Sequence, residues 1–138
     1  MITAGLTNSF KEQLLLGVHD FETDVMKIAL YTSAAELGPN TLEYTAVGET
    51  SGVGYTATGQ VLTSAVVTRT GNVAFVSFAN PTWAAATFTA RGALIYNSSK
   101  SNKSVGVLNF GLDQTMLSQQ FQIQFPPDNA ESALIRIS

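Results

Sequence analysis

The stretch that decides the fold runs from Ala90 to Phe110. It reads Ala93-Leu94-Ile95-Tyr96, then a polar tip Asn97-Ser98-Ser99-Lys100-Ser101-Asn102-Lys103, then Val105-Gly106-Val107-Leu108-Asn109-Phe110. Two runs rich in β-branched and aromatic residues, joined by a short Ser/Asn segment, predict a β-hairpin. Outward from it the same rhythm recurs. Strands are predicted at Met26 to Tyr31, Val61 to Thr68, Val73 to Phe78, Thr87 to Ala90, Phe121 to Phe125 and Leu134 to Ile137. Turn residues separate them at Thr70-Gly71-Asn72, Asn80-Pro81, Gly111 to Ser118 and Pro126-Pro127-Asp128-Asn129. Many short strands at this spacing imply an all-β fold, an antiparallel β-sandwich or jelly roll.

One helix precedes the strands. Ser9-Phe10-Lys11-Glu12 has capping-box spacing, and Phe10, Leu14 and Leu15 fall on one helical face before Gly17. This predicts a short helix over Ser9 to Leu16, within an N-terminal helix or arm covering residues 1–25. The 138 residues fit one domain able to bury about two thirds of its unfolded surface.

Composition excludes several classes. With 45% hydrophobic and 12% charged residues the chain is not of the disordered type. No apolar run of about 18 residues is present, so no membrane contact is expected. The N-terminus lacks the pattern of a secretory leader, which implies synthesis inside a cell. A net charge of −3 argues against a direct electrostatic grip on nucleic acid. Residues 1–49 hold seven acids against Lys11 and Lys27, while the remainder holds three acids against five bases. Ordinary solvation accounts for this, and complementary ends meeting in an oligomer is the alternative.

Chemistry-bearing residues are sparse: there is no cysteine and one histidine. Gly52-Val53-Gly54-Tyr55-Thr56-Ala57 has a glycine spacing seen in dinucleotide sites, but it leads toward a strand where such sites lead into a helix. Loop glycines explain it. His19-Asp20 lacks a partnered nucleophile, so His19 is expected to be structural or solvated. Asp20, Glu22 and Asp24 offer oxygen ligands without the glycine and terminal glutamate of a calcium loop. No catalytic, cofactor or metal residue is expected. Asn97-Ser98-Ser99 and Asn102-Lys103-Ser104 match glycosylation sequons, and both read as hairpin tip. Trp83, with Phe88, Tyr96 and Phe110, is expected in the core, with a sugar-binding platform as the alternative.

The glycine-marked connection from Thr32 to Gly59 is the candidate contact region. Tyr44, Val53 and Tyr55 are its candidate partner-contact residues, joined by Lys100 and Lys103 on the tip.

Three phrases, Lys27-Ile28-Ala29-Leu30-Tyr31-Thr32-Ser33-Ala34-Ala35, Gly52-Val53-Gly54-Tyr55-Thr56-Ala57 and Thr89 to Lys103, resemble in their joint order a family of small virion structural proteins of tailed bacteriophages. The likeness spans about Phe10 to Ile137. It implies a non-enzymatic capsid cement, or decoration, protein on the outer surface of the virion, bridging major capsid protein subunits as a homo-oligomer and made in the host cytoplasm. A tail or head-to-tail adaptor component is the alternative it leaves open, and a carbohydrate-binding module is a further one.

Overall fold

A computed structural model describes residues 1–126 and 133–137. Strands β1 (Gly5–Leu6), β2 (Met26–Tyr31), β3 (Gln60–Val61), β4 (Val66–Thr70), β5 (Val73–Ser77), β6 (Thr82–Asn97), β7 (Lys103–Gln122) and β8 (Ile135–Ile137) accompany one helix, α1 (Asn8–Leu15). They form two antiparallel sheets, a five-stranded one in the order β1-β7-β6-β2-β3 and a three-stranded one in the order β4-β5-β8. The all-β reading with one short helix holds.

The hairpin that decided the fold is longer than its sequence suggests. Thr87 to Ala90 and Ala93 to Tyr96 fuse into the single strand β6, and Gly111 to Ser118, expected as a separator, lies inside β7. The physical reason is bulging. Gly111 and Ser118 adopt φ of +82° and +52°, and the β6–β7 register shifts between Ala90 and Gly92 and between Ala86 and Phe88. Residues that usually make turns here absorb extra chain within a continuing ladder. The ladder ends at Gln122, so Ile123 to Phe125 lie beyond it. Pro127, Asp128 and Asn129 fall outside the described residues.

The predicted strand Val61 to Thr68 is likewise two elements. Leu62 turns into the core, Ser64 takes φ +57°, and the chain leaves the large sheet at β3 to enter the small one at β4. Such a corner lets one run of sequence serve both layers of a sandwich. At the hairpin Thr70-Gly71-Asn72-Val73 the turn is the expected one, with Gly71 at φ +60°.

α1 starts one residue earlier than predicted, and its cap lies two residues before Ser9. Thr7 is the N-cap, its hydroxyl accepting from the Phe10 N–H at 3.3 Å, and the helix ends at Leu16 before Gly17 at φ +73°. Phe10 is fully buried, whereas Leu15, expected on the same face, is exposed.

The main core lies between the sheets. Met26, Ile28 and Leu30 of β2, Trp83, Phe88 and Ile95 of β6, and Phe121 of β7 pack with Val76 and Phe78, Ile135 and the helix residue Phe10. A second cluster covers the opposite face of the large sheet: Ala29, Tyr31, Leu94, Tyr96 and Val107 against Ile2, Ala35 and Leu37, with Tyr44 alongside. β2 is therefore buried on both faces, and the 32–59 connection is a cover for the sheet. Burial of Trp83 in the core removes the platform of the sugar-binding reading.

Where that connection recrosses β2 it does so at Gly59, φ +83°, and a Cβ there would sit 1.8 Å from the Ile28 carbonyl oxygen. Gly59→Ala is expected to cost about 3 kcal/mol or more in denaturant unfolding, because both contact and φ oppose a side chain. Gly71→Ala, with open space around the same atom, should cost only about 1 kcal/mol.

Candidate functional site

The residues expected to face a partner are the starting point, because the structure redistributes them. Tyr44 and Tyr55 turn inward and meet at one carboxylate. The Tyr44 hydroxyl donates to Glu49 Oε1 at 2.5 Å, the Tyr55 hydroxyl donates to Glu49 Oε2 at 2.5 Å, and the Thr58 N–H donates to the same Oε2 at 2.8 Å. Tyr55 also accepts from the Leu30 N–H at 3.1 Å, and its ring stands edge-on to Phe88 at 5.8 Å. The other two tyrosines complete the arrangement: Tyr31 donates to the Thr45 carbonyl and Tyr96 to the Thr58 carbonyl, each at 2.6 Å. All four tyrosines of the chain thus hold the 32–59 connection onto β2 and β6.

This arrangement follows from burying irregular chain. A covering loop carries backbone groups that no ladder satisfies, and each must find a partner. Gly48 O accepts from Thr32 N–H, Leu30 O accepts from Thr50 N–H, and the Thr50 hydroxyl donates to Thr89 O. Burial pushes all four phenols above their ordinary value of 10.0, and for Tyr44 and Tyr55 the bond donated to Glu49 adds to that.

The hairpin tip is folded down in the same manner. Lys100, expected as a partner contact, donates to Asp24 Oδ1 at 2.8 Å, and Asn97 Nδ2 donates to Asp24 Oδ2 at 2.8 Å. Burial alone would raise the Asp24 carboxyl; the bonds from Lys100, Asn97 and the Asp20 N–H outweigh it and hold the group at about 2. Lys103 is half-buried, its backbone N–H donating to Lys100 O, and its backbone pairs with that of Glu43 in an isolated antiparallel β-bridge. Ser101 and Asn102 both adopt φ near +57° in the closing turn, the pattern of a type I′ turn.

His19 is structural, buried between Gln13 and Asn97. Asp20 accepts from the Glu22 N–H and Asp24 turns inward, and among the described residues no group of three or more His, Cys, Asp or Glu side chains is placed to hold a metal. Asn97 of the first sequon is fully buried, while Asn102 of the second is exposed.

Of the five expected contact residues Val53 is exposed, at 70%, and the other four are half-buried. Gly52 and Gly54 let its backbone lie against β6, where Val53 O accepts from the Thr87 N–H at 2.9 Å. Leu42 and Val47, which the sequence reading passed over, share that exposure on the same connection. The signal for them was a negative one: the aromatic neighbours are consumed by the sheet, leaving small aliphatic residues outward. No protein-family model, curated protein or solved structure matches this chain.

Two outcomes test the tyrosine arrangement. Tyr55→Phe leaves the Leu30 N–H and Glu49 each short of a partner and is expected to cost about 1–3 kcal/mol, whereas Tyr55→Ala, losing the ring as well, should cost about 3–5 kcal/mol. Because the folded phenols titrate above 10.0, their contribution is complete below that pH and is lost as pH rises past it. Tyrosinate absorbance is expected to appear in one cooperative step together with unfolding. Gradual ionisation of any one ring near 10.0, with the fold intact, would show that ring to be unheld.

Proposed function

We propose that this chain is a virion structural protein whose contribution is binding energy, attached as a cement protein to the outer surface of a major capsid protein shell. The observation that carries the reading is the stapled 32–59 connection, a rigid loop presenting Leu42, Val47 and Val53 outward. A loop held by buried hydrogen bonds loses little freedom on docking, so more of its contact energy is realised as affinity. The sequence likeness to small proteins of tailed-phage particles supports the choice of partner, and the all-β scaffold suits a stabiliser placed across subunit seams. A ligand that binds only the assembled shell stabilises that shell by mass action.

In this reading the protein works as a homo-oligomer, without enzymatic activity and without direct contact to nucleic acid or membrane. It is made in the host cytoplasm and ends on the particle. The second reading, a tail or head-to-tail component, shares the same surface and differs in where the protein sediments.

Heads lacking the protein are expected to assemble normally but to release DNA at lower temperature, and purified protein added back should restore the wild-type value. Val53→Asp and Leu42→Asp should weaken that rescue while shifting folding stability by no more than about 0.5 kcal/mol, as exposed substitutions do. Stripped and complete heads melting alike, with tail assembly failing, would replace cement by the tail reading.

A further inference from the structure

The single histidine sits in a polar network whose donors and acceptors are fully determined. Asn97 Oδ1 accepts from the Ser99 N–H at 3.0 Å, and Asn97 Nδ2 donates to the Asp24 carboxylate at 2.8 Å. A carboxylate ionised at neutral pH only accepts and an N–H only donates, so the Asn97 amide has one possible orientation. Its Nδ2 then stands 2.9 Å from His19 Nδ1, which must be the bare, accepting nitrogen. The proton therefore lies on Nε2, which donates to Gln13 Oε1 at 2.9 Å. The closed network requires neutral imidazole.

We propose that His19 is an acid-sensitive latch, whose protonation releases the hairpin tip Asn97–Lys103 from the segment His19 to Val25 that joins α1 to β2. A proton on Nδ1 would face the Asn97 NH₂, donor against donor. Turning the amide over to accept from His19 would place its oxygen against the Asp24 carboxylate and its NH₂ against the Ser99 N–H, so the conflict moves without being relieved. The tip is otherwise tied to this region through Lys100, which donates to Asp24 Oδ1 at 2.8 Å, and through Val25, whose N–H donates to Ser99 Oγ and whose carbonyl accepts from Ser98 N–H and Oγ. Loss of the Asn97 bonds thus bears on the whole turn.

Charges reach the imidazole from two segments. Asp24, on its own segment, favours the proton; Lys100 and Lys103, on the tip, oppose it; and α1 supplies the neutral Gln13 amide and the Phe10 ring at 5.0 Å. Burial is the largest influence, and it lowers His19 below its ordinary 6.5. With the folded value depressed, the latch is fully closed above 6.5 and is lost as pH falls through the folded value. Asp24, held at about 2, titrates well below that window.

The test is a pH titration of the wild-type protein by NMR, where one histidine gives one set of ring signals. The expected result is an Nε2–H tautomer at neutral pH, a midpoint below 6.5, and loss of hydrogen-exchange protection at Val25, Ser98 and Lys100 in step with it. By linkage the limiting fall in protection equals the ratio of the His19 acid constants in the closed and open forms, so the two readouts must agree. Ala29 and Leu94, in the central ladder, should keep their protection. His19→Gln, which cannot titrate, should show tip protection independent of pH across the same window. A midpoint at or above 6.5, an Nδ1–H tautomer, tip amides indifferent to the titration, or Ala29 and Leu94 loosening together with the tip would each overturn the proposal. Should the variant fail to fold, the wild-type tautomer, midpoint and exchange data decide alone.

Discussion

The structure depends on burying one strand from both sides. β2 presents Met26, Ile28 and Leu30 to the space between the sheets and Ala29 and Tyr31 to the opposite face, leaving only Lys27 half-exposed. An antiparallel sheet ordinarily leaves one face to water. Here the second face is closed by the N-terminal residue Ile2 and by the 32–59 connection, and irregular chain used as a cover has to satisfy its own polar groups. The tyrosine hydroxyls and the Glu49 carboxylate answer that requirement. Among the described residues no buried side-chain nitrogen or oxygen lacks a partner.

The glycines obey the same constraint. Gly48 lies 2.7 Å, at its would-be Cβ, from Ala35, and Gly52 lies 2.3 Å from Thr87 O. These positions are where the cover touches the sheet or itself most closely, so the glycine-rich look of 48–59 reflects close packing and not a ligand cradle. β6 and β7 accept the cover by bulging, which bends a ribbon of 16 and 20 residues around the core.

Much of this was legible in the sequence. Strand-type sequence located β2, β5 and the central hairpin because their pattern is set by the sheet itself. The boundaries were less legible where one residue type serves two ends. Gly111 and Ser118 are turn formers by type and bulge positions by use, and the cap is Thr7 where the spacing pointed to Ser9. The inward turn of Tyr44 and Tyr55 was hidden for a related reason. Tyr44 and Tyr55 lie in a loop, and nothing local announces that Glu49, six residues before Tyr55, will gather both hydroxyls against a sheet face that includes Phe88, 33 positions beyond Tyr55 in β6.

That division of side chains shapes any interface the loop makes. Tyrosine, tryptophan and arginine dominate binding hot spots, while leucine and valine are under-represented there. This chain has committed its loop tyrosines to the fold, and it offers Leu42, Val47 and Val53 outward in their place. A contact built from such residues is shallow, and one copy would hold its partner weakly. Attachment to a repeating shell changes the arithmetic, because a second contact formed by a tethered neighbour occurs at high effective concentration and avidity can exceed either affinity by a factor of about 100 to 10,000. A rigid loop is what makes this gain available, since simultaneous engagement demands fixed spacing between sites. In the cement reading, the hydrogen bonds to Glu49 therefore serve attachment as well as stability: they fix where Val53 and its neighbours stand before the shell is met.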